Sequence, residues 1–447
     1  MKGFRRWFLL GAVLWSVGPA GMAAEPSENA ARDPLRERAV ADDPQAQLEL
    51  GFAYFQGLGR KADATLAAYW FGRAARHQVP EAQYNLALCY RNGRGVEFNH
   101  HRAFELLTQA AERRLPEAEL LLADYCLHGV PAEPDARPPR PALPPDYPAG
   151  IRLLQKLAAT GRTDARRELA LAYLESPEPE MRERFLPEAV ALLSQAAAAN
   201  DPAALLRLAD LHVTGVGVPR NEAKMLELLQ KAAALKVPEA RSKLAYAFEY
   251  GLGTTPDSRK AFELYQLAAA DGVPIARTRL ANYYMAGRET RQDVPKALEL
   301  YRLAAKTGEP GALTKLALCY RDGVGVERDP ERAFALLLEA AKKDHPEAQY
   351  LAAQCFQHGA GTPADLNAAF YWYRQAAFRH EVRALLELGR CYLEGSGTPV
   401  DAEQAQVWLA LALENGMNDA APLLERARRR IKLPEAQPTP ALRLRDR

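Results

Sequence analysis

The chain has 447 residues, of which 58 are basic and 56 acidic, so its formal charge is +2. This balance excludes a wholly basic nucleic-acid-binding protein and an acidic disordered chain. Apolar residues make up 48% of the chain and charged residues 26%, as in ordinary folded proteins. The cysteines number five, so they cannot all pair within one chain.

The first 23 residues have the layout of a secretory signal peptide. A short basic region precedes an apolar segment from Trp7 to Val17, and the small residues Gly21 and Ala23 suit cleavage after Ala23. The apolar segment is too short to cross about 30 Å of hydrocarbon comfortably. We therefore predict a periplasmic or secreted protein with no stable membrane span after cleavage.

A repeat of 36 residues organises most of the remaining chain. Counted from the position at which proline opens eight of the eleven copies, position 3 is alanine in all eleven and position 7 is leucine in ten. Position 11 is usually aromatic. The opening prolines that keep the interval of 36 fall into two runs: Pro44, Pro80 and Pro116, then Pro202, Pro238, Pro274, Pro310 and Pro346. Such a fixed period indicates a repeat architecture.

Each repeat has the pattern of two antiparallel helices. In the copy that starts at Pro310, one apolar face includes Leu316, and a second apolar stripe runs through residues 333–341 at helical spacing. Gly323 and Gly325 lie between the two stripes and allow a sharp reversal. Neither helix can bury its stripe alone, so neighbouring repeats must stack.

This pattern resembles the Sel-one-like repeats, which are relatives of the tetratricopeptide repeats. The resemblance is carried by P-E-A-Q-Y-N-L-A-L-C-Y-R-N-G-R-G-V at 80–96 and P-G-A-L-T-K-L-A-L-C-Y-R-D-G-V-G-V at 310–326. It implies an all-α fold, namely a right-handed α-solenoid of about ten antiparallel helix pairs over residues 44–417. It also implies a non-enzymatic role in holding proteins or assembling complexes, often at bacterial envelopes.

Shorter segments flank the repeats. Residues 24–43 are expected to form an N-terminal cap, in which Asp43 caps the helix that follows. Residues 418–433 are expected to form a C-terminal capping helix with a charged outer face. Residues 434–447 are rich in proline and polar residues, so we predict a disordered tail.

Three repeats depart from the common pattern. The third carries a Pro-rich loop at 131–148 between its helices, and this composition favours an extended polyproline II conformation. The loop is either a docking peptide or a tolerated surface insertion. The fourth repeat has Ser176 to Pro179 where the paired glycines are expected, and in the seventh Glu289 replaces the second glycine.

The residues that could carry chemistry favour structural roles. The G-x-G pairs follow no strand and lack the third glycine or the G-K-[ST] ending of phosphate loops. The chain has no H-E-x-x-H, C-x-x-C, Ser-x-x-Lys or G-x-S-x-G motif, so we predict no metal site, no cofactor and no catalytic residues. Four of the five cysteines share position 10, where small apolar contacts are expected, and Trp70, Trp372 and Trp408 share position 27, where core packing is expected.

A partner-binding surface is expected on the first helices. By analogy with tetratricopeptide arrays, these helices line a concave groove, and positions 9 and 13 vary while the core positions stay fixed. Tyr246 and Tyr250 lie one turn apart and form the best predicted anchor. The predicted contacts are Asp210, Tyr246, Asn282, Gln354 and Arg390 at position 9, and Tyr250, Asp322, His358 and Glu394 at position 13.

The sequence thus predicts an exported scaffold that binds protein partners and no nucleic acid. One alternative is a hydrolase acting on cell-wall or β-lactam substrates, a chemistry credited to some relatives of the family. Another is a glycan-binding module that contacts an envelope glycan through the basic stretch at 426–447. Turnover of a reporter β-lactam, or retention on purified cell-wall polymer, would distinguish these classes from a scaffold.

The export hypothesis predicts a specific mature N-terminus. Because small residues precede Ala24, signal peptidase is expected to leave a chain that begins at or near this residue. N-terminal sequencing of the native protein measures this directly. A chain that keeps Met1 and stays in the cytoplasm would contradict export.

Overall fold

A computed structural model describes residues 33–133 and 139–432. Within these ranges the regular structure is helical, apart from two isolated antiparallel bridges next to the Pro-rich segment. The chain divides into two compact units, of which the first reaches Leu157 and the second begins at Ala158. The predicted signal peptide and the predicted C-terminal tail lie outside the described residues.

The first unit contains the first two repeats and most of the third. Its helices are α1 Pro34–Val40, α2 Pro44–Gln56, α3 Ala64–Arg76, α4 Pro80–Asn92, α5 His100–Glu112, α6 Pro116–His128 and α7 Tyr147–Ala159. The boundary between the units falls within α7, the second helix of the third repeat. Asp43 caps α2 as predicted, because its carboxylate accepts hydrogen bonds from the backbone amides of Gln45 and Ala46.

The second unit contains seven further helix pairs and a final helix. Its helices are α8 Thr163–Glu175, α9 Pro179–Ala198, α10 Pro202–Thr214, α11 Glu222–Ala234, α12 Pro238–Tyr250, α13 Ser258–Ala270, α14 Pro274–Ala286, α15 Val294–Ala305, α16 Pro310–Asp322, α17 Pro330–Ala341, α18 Pro346–His358, α19 Leu366–Phe378, α20 Val382–Glu394, α21 Ala402–Glu414 and α22 Ala420–Lys432. Within this unit, each helix packs on the next in sequence, which confirms the all-α class and the stacked antiparallel pairs.

The core follows the repeat positions. Every alanine at position 3, from Ala46 to Ala420, is fully buried, and the leucines at position 7 are buried as well. Alanine at a helix contact lets two backbones approach closely, while leucine fills the remaining space between the packed helices. Trp70 is buried, and Trp372 and Trp408 pack against the core, so the tryptophans are core residues as predicted.

The paired glycines shape the turns and permit close stacking. Both members of each pair have positive φ, for example 69° at Gly359 and 75° at Gly361. A Cβ built on Gly361 would lie 2.0 Å from the carbonyl oxygen of Pro330, in the second helix of the preceding repeat. The second glycine therefore lets consecutive repeats touch through their backbones. In the seventh repeat the turn keeps this shape although Glu289 occupies it with φ 58°.

An acidic or amide residue at position 20 begins most second helices, a feature that the sequence analysis missed. Asp329 is typical: its carboxylate accepts from the Arg332 amide at 2.9 Å, and its own amide donates to the Tyr320 carbonyl at 2.9 Å. One residue thus caps the second helix and ties it to the end of the first.

All five cysteines are free, and four of them are buried at helix contacts. Burial raises the pKa of Cys89 to about 11 and that of Cys391 to about 12. These thiols stay protonated at neutral pH, as expected of small apolar core residues.

The Pro-rich loop folds back on itself, so the prediction of an extended polyproline II segment needs correction in its described part. Val130 pairs with Leu143, and Glu133 pairs with Arg140, in antiparallel bridges. The last two residues of the predicted loop, Tyr147 and Pro148, already belong to α7. The backbone amides of residues 130, 133, 140 and 143 all donate to carbonyls across the loop, and this pairing replaces polyproline II there.

Glu133 anchors this loop to the start of α5. Its carboxylate accepts hydrogen bonds from the backbone amides of His100 and His101 and forms an ion pair with Arg140 at 2.8 Å. The side chain is 8% exposed. Burial alone would raise the pKa of Glu133, but the Arg140 guanidinium and the two backbone amides hold it below its usual value. The loop is thereby fixed by a negative charge at a helix N-terminus.

Leu316 tests the packing of the core. Leu316→Ala removes a side chain that is 5% exposed and leaves a cavity, so we expect the free energy of unfolding to fall by about 2–5 kcal/mol. Chemical denaturation measures this loss, and hydrogen exchange in α14 and α18 reports whether the damage spreads to the adjoining repeats. An unchanged midpoint would show that Leu316 does not support the core.

Glu133 tests the anchoring of the Pro-rich loop. We expect Glu133→Gln to increase backbone amide exchange of His100 and His101 at pH 7, because the charge-assisted hydrogen bonds are lost. Since the folded pKa is depressed, the stabilisation by Glu133 is present above about pH 4.3, the usual glutamate value, and is lost as pH falls through the folded pKa.

Hydrogen-exchange mass spectrometry, corrected for intrinsic rates, follows both effects. Glu97→Gln is the matched control, because Glu97 is an exposed glutamate in the turn before α5. Equal exchange in the wild type and Glu133→Gln would mean that the carboxylate does not hold the loop.

Candidate functional site

The two predicted anchor tyrosines lie at a cavity in the second unit. The cavity has a volume of about 370 Å³ and is lined mainly by α10, α12 and α14, the first helices of three consecutive repeats. Its size falls within the range of about 300–1,000 Å³ that is typical of ligand pockets. We call it the Tyr246 cavity, after the tyrosine in its wall.

The walls of the Tyr246 cavity are apolar and open to solvent. Val213 on α10 is 46% exposed and Ile275 on α14 is 51% exposed, although both are aliphatic. Met225 and Leu229, from the second helix α11, are buried beneath them. Aliphatic side chains left in water around a concavity are a feature of binding surfaces.

Tyr265 forms part of the lining and is 1% exposed. Its hydroxyl donates a hydrogen bond to Glu249 Oε2 at 2.9 Å. Burial, followed by the neighbouring Glu249 carboxylate, raises the pKa of Tyr265 above its usual value. The phenol therefore stays neutral and serves as packing surface.

The anchor tyrosines form one unit with an arginine of the next repeat. The rings of Tyr246 and Tyr250 are 4.5 Å apart between centroids, and the side chains are 41% and 50% exposed. The Arg279 guanidinium lies 5.3 Å from the first ring and 5.7 Å from the second, and donates to the Tyr250 hydroxyl at 2.9 Å. Tyr246 lines the cavity, whereas Tyr250 lies beside it.

The charged side chains of the cavity lining are two acidic and two basic residues, namely Asp210, Glu239, Lys243 and Arg279. Lys243 forms an ion pair with Asp210, the predicted contact on the neighbouring repeat. Burial lowers the pKa of Arg279, but the adjacent Tyr250 and Tyr265 outweigh this and hold it above its usual value. The charges of the rim therefore sum to zero, and the aliphatic side chains of the walls remain exposed to solvent.

The other predicted position-9 residues make local contacts and do not line this cavity. Asn282 accepts a hydrogen bond from the buried Tyr301 hydroxyl at 2.6 Å, so its side chain serves the interior of its own repeat. Gln354 donates to the Tyr350 hydroxyl at 2.8 Å. Arg390 lies 3.6 Å from Glu387 on the same helix.

The remaining position-13 residues are exposed and dispersed along the second unit. Asp322 pairs with Arg321 at 2.7 Å, and Glu394 lies 3.5 Å from Arg426 of α22. His358 is exposed at the end of α18. The structure thus brings together Asp210, Tyr246 and Tyr250 and leaves the other predicted contacts apart.

Several lining residues were missed by the sequence analysis. Lys243 and Arg279 occupy position 6, and Glu239 and Ile275 occupy position 2 of their repeats. Positions 2, 6, 9 and 13 recur at three or four residues, so they share one face of the first helix. Applying this period to positions 9 and 13 would have identified them.

Side chains at positions 9 and 13 contact position 6 of the next repeat. Asp210 pairs with Lys243, and Tyr246 stacks with Arg279. These contacts give the Lys243 and Arg279 side chains partners within the protein. An apolar partner that binds beside them therefore does not have to bury them unpaired.

The described residues contain neither a membrane-spanning helix nor a cluster of metal-binding side chains. In residues 33–133 and 139–432, no helix combines the length and the apolar character needed to span a membrane. The same ranges contain no group of three or more His, Cys, Asp or Glu side chains placed to hold a metal ion.

A family model for the Sel1 repeat matches eight segments of the chain. The segments are 44–79, 80–114, 202–237, 238–273, 274–308, 310–345, 346–377 and 382–417. The unmatched stretch between 114 and 202 contains the third and fourth repeats, and the Tyr246 cavity lies in matched repeats. A search of curated protein sequences gave no significant match.

Solved structures with similar folds include three bacterial proteins. A protective antigen present in uropathogenic Escherichia coli strains, which displays an SLR fold, is 26% identical over 91% of each chain, with a TM-score of 0.50. A Sel1 repeat protein from Oxalobacter formigenes is 29% identical over 72% of this chain and 89% of that one, with a TM-score of 0.48. An immunity protein from Pseudomonas aeruginosa is 23% identical over 54% of this chain and 89% of that one, with a TM-score of 0.36.

The repeat of 36 residues, the observed helix pairs and the segments matched by the family model all indicate the same repeated unit. Sel1 repeat proteins generally mediate protein–protein interactions, and the family is typically a non-catalytic scaffold. The matched segments make up more than half of the chain. This chain belongs to the Sel1 repeat family.

Proposed function

We propose that this protein is an exported, non-enzymatic scaffold that binds a protein partner at the Tyr246 cavity. The observation that carries the proposal is an open cavity of about 370 Å³ with exposed aliphatic walls, at whose rim Lys243 pairs with Asp210. Such a site favours insertion of one apolar or aromatic side chain of the partner, because the aliphatic walls lose contact with water when it binds.

The tyrosine pair and Arg279 supply the second part of the contact. Tyrosine and arginine are enriched among the residues that dominate binding energy at protein interfaces. Their mutual stacking holds the two rings in place before binding, which reduces the entropy lost on association. The partner segment is expected to lay its apolar residue beside Tyr246 and its flanking residues across Tyr250.

Export is part of the proposal and rests on the N-terminal sequence. The basic residues, the apolar segment to Val17 and the small residues before Ala24 support a signal peptide. A scaffold released outside the cytoplasm would serve assemblies of the cell envelope. The non-enzymatic role is supported by the typical behaviour of the Sel1 repeat family.

The double change Tyr246→Ala with Tyr250→Ala tests the cavity as the contact site. We expect capture of crosslinked partners from an envelope extract to weaken by more than about tenfold, because two anchor side chains are truncated. The helical circular-dichroism signal should stay unchanged, since both side chains are exposed. Tyr371→Ala is the matched control, because this tyrosine is 46% exposed on a second helix, away from the cavity.

The Pro-rich loop is the competing contact region. Val130 and Leu143 face each other in a bridge, so residues 131–142 can be replaced by the two-residue turn Asn-Gly. We expect this variant to keep full partner capture. Loss of capture in the loop variant, with retention in the double tyrosine variant, would overturn the assignment to the cavity.

A further inference from the structure

A second cavity lies in the first unit and has a different chemical character. It has a volume of about 480 Å³ and is bounded by the C-terminal half of α3 and by α5 from Arg102 onward, with α4 between them. Leu86, Tyr90 and Leu106 form its apolar part. We call it the Gly72 cavity, after the glycine in its wall on α3.

Gly72 leaves this space open, although the backbone conformation at this position does not require glycine. It lies within α3 with ordinary helical geometry, where glycine is less favourable than alanine by about 0.5–1 kcal/mol. A Cβ built there would meet only Leu86 Cδ2, at the ordinary contact distance of 3.9 Å. By contrast, a Cβ on the helical glycines Gly51 and Gly389 would lie 2.5 and 2.6 Å from a packed side chain.

Other repeats carry larger side chains at the same position. The equivalent residues are Thr108, Gln230, Gln266, Arg302, Leu338, Arg374 and Ala410. Neither the helix nor its packing requires glycine at this place. The absent side chain therefore has one evident consequence, which is the open space itself.

Positive charge surrounds the cavity. Arg76, Arg102 and Arg113 line it together with a single carboxylate, that of Glu112. Arg102 is held by Glu105 at 2.6 Å, and Arg113 donates to the side-chain oxygen of Gln78. Arg76 forms no ion pair with any residue that the structure describes. Against the carboxylates of Glu105 and Glu112, the three guanidinium groups leave one positive charge, which a bound anion would offset.

Gln83 is turned into the cavity instead of serving the helix junction. In two other repeats the glutamine at position 4 donates to a main-chain carbonyl eight residues earlier: Gln47 to Ala39 at 3.2 Å, and Gln349 to Ala341 at 3.1 Å. Gln83 is only 2% exposed, yet it donates to the Gln109 side chain at 3.1 Å within the cavity lining.

The amide oxygen of Gln83 has no hydrogen-bond partner among the described residues, as is also true of Gln47 and Gln349. In the Gly72 cavity this buried acceptor lies among other polar groups, the amides of Gln78 and Gln109. A ligand that donates a hydrogen bond would satisfy it.

We propose that the Gly72 cavity binds a small polyhydroxylated carboxylate. Guanidinium forks match the geometry of a carboxylate, and Arg76 offers one that has no ion-pair partner in the described residues. The amides of Gln78, Gln83 and Gln109 supply donors and acceptors for hydroxyl groups. Leu86, Tyr90 and Leu106 face the carbon skeleton. This site does not depend on the protein contact proposed above.

The probe for the test is D-glucuronate, with D-glucose as the neutral control of the same ring size and inorganic phosphate as a bare anion. Isothermal titration calorimetry or ligand-observed NMR with the full chain measures each affinity. We expect saturable binding of glucuronate at one site. Glucose should bind more weakly by about tenfold or more, because the carboxylate contact is missing.

Two variants locate the binding. Arg76→Gln should weaken glucuronate binding by about tenfold, whereas Arg259→Gln, at an arginine that is 82% exposed on α13, should leave it unchanged. Gly72→Leu should abolish binding by filling the space, with an equal or higher thermal midpoint because glycine is removed from a helix. Phosphate should bind more weakly than glucuronate, since it lacks the hydroxyl contacts.

The proposal would be overturned by the absence of saturable glucuronate binding, by equal binding of glucose and glucuronate, or by unchanged binding in both Arg76→Gln and Gly72→Leu. Phosphate binding as tight as that of glucuronate would also overturn it, because unspecific attraction to arginines would then suffice. If Gly72→Leu fails to fold, Arg76→Gln still decides the question.

Discussion

Close backbone contact between successive repeats is the constraint on which the rest of the structure depends. The fully buried alanines at position 3 allow it within the helix layers, and the second turn glycine allows it at the repeat junction. At Gly361 the neighbouring carbonyl of Pro330 leaves no room for a side chain. Because these contacts involve main-chain atoms, they set the spacing between repeats independently of the large side chains. Leucine at position 7 fills the volume that this spacing leaves between the helices.

This rigid frame determines which positions are free to vary. Positions 3, 7 and 8 and the turn glycines are taken by packing, so variation collects at positions 2, 6, 9 and 13 of the first helix. In the second unit, side chains at these positions pair across the repeat junction, as Asp210 does with Lys243 and Tyr246 with Arg279. The surface that remains for a partner is aliphatic and aromatic, and this is why the proposed contact is an apolar anchor and not an ion pair.

The positions that depart from the repeat pattern carry two distinctive chemical features, a polar cavity and a buried carboxylate. Gly72 lacks the side chain that other repeats carry at its position, and a polar cavity with three arginines occupies the space. The Pro-rich insertion is held to α5 by the buried carboxylate of Glu133. In both cases the departure from the pattern contacts regular helices: α4 and α5 line the cavity beside Gly72, and the N-terminus of α5 binds Glu133. Position 6 was missed from the sequence because its residues look like ordinary surface charges until they are seen beside the preceding repeat.

The sequence by itself determined the all-α class, the helix pairs, the turn glycines and the buried leucine and alanine positions, because each follows from local periodicity repeated many times. It also identified Tyr246 and Tyr250, since exposed aromatic residues one turn apart need only helical geometry to be brought together. The tertiary structure alone decided that Arg279 joins them, that Asn282 serves the interior, and that the loop beside Glu133 folds back. The side-chain contacts of Arg279 and Asn282 join residues about 20 to 35 positions apart, and the loop bridges join backbone groups in a segment that has no helical period. Helical periodicity carries no information about either kind of contact.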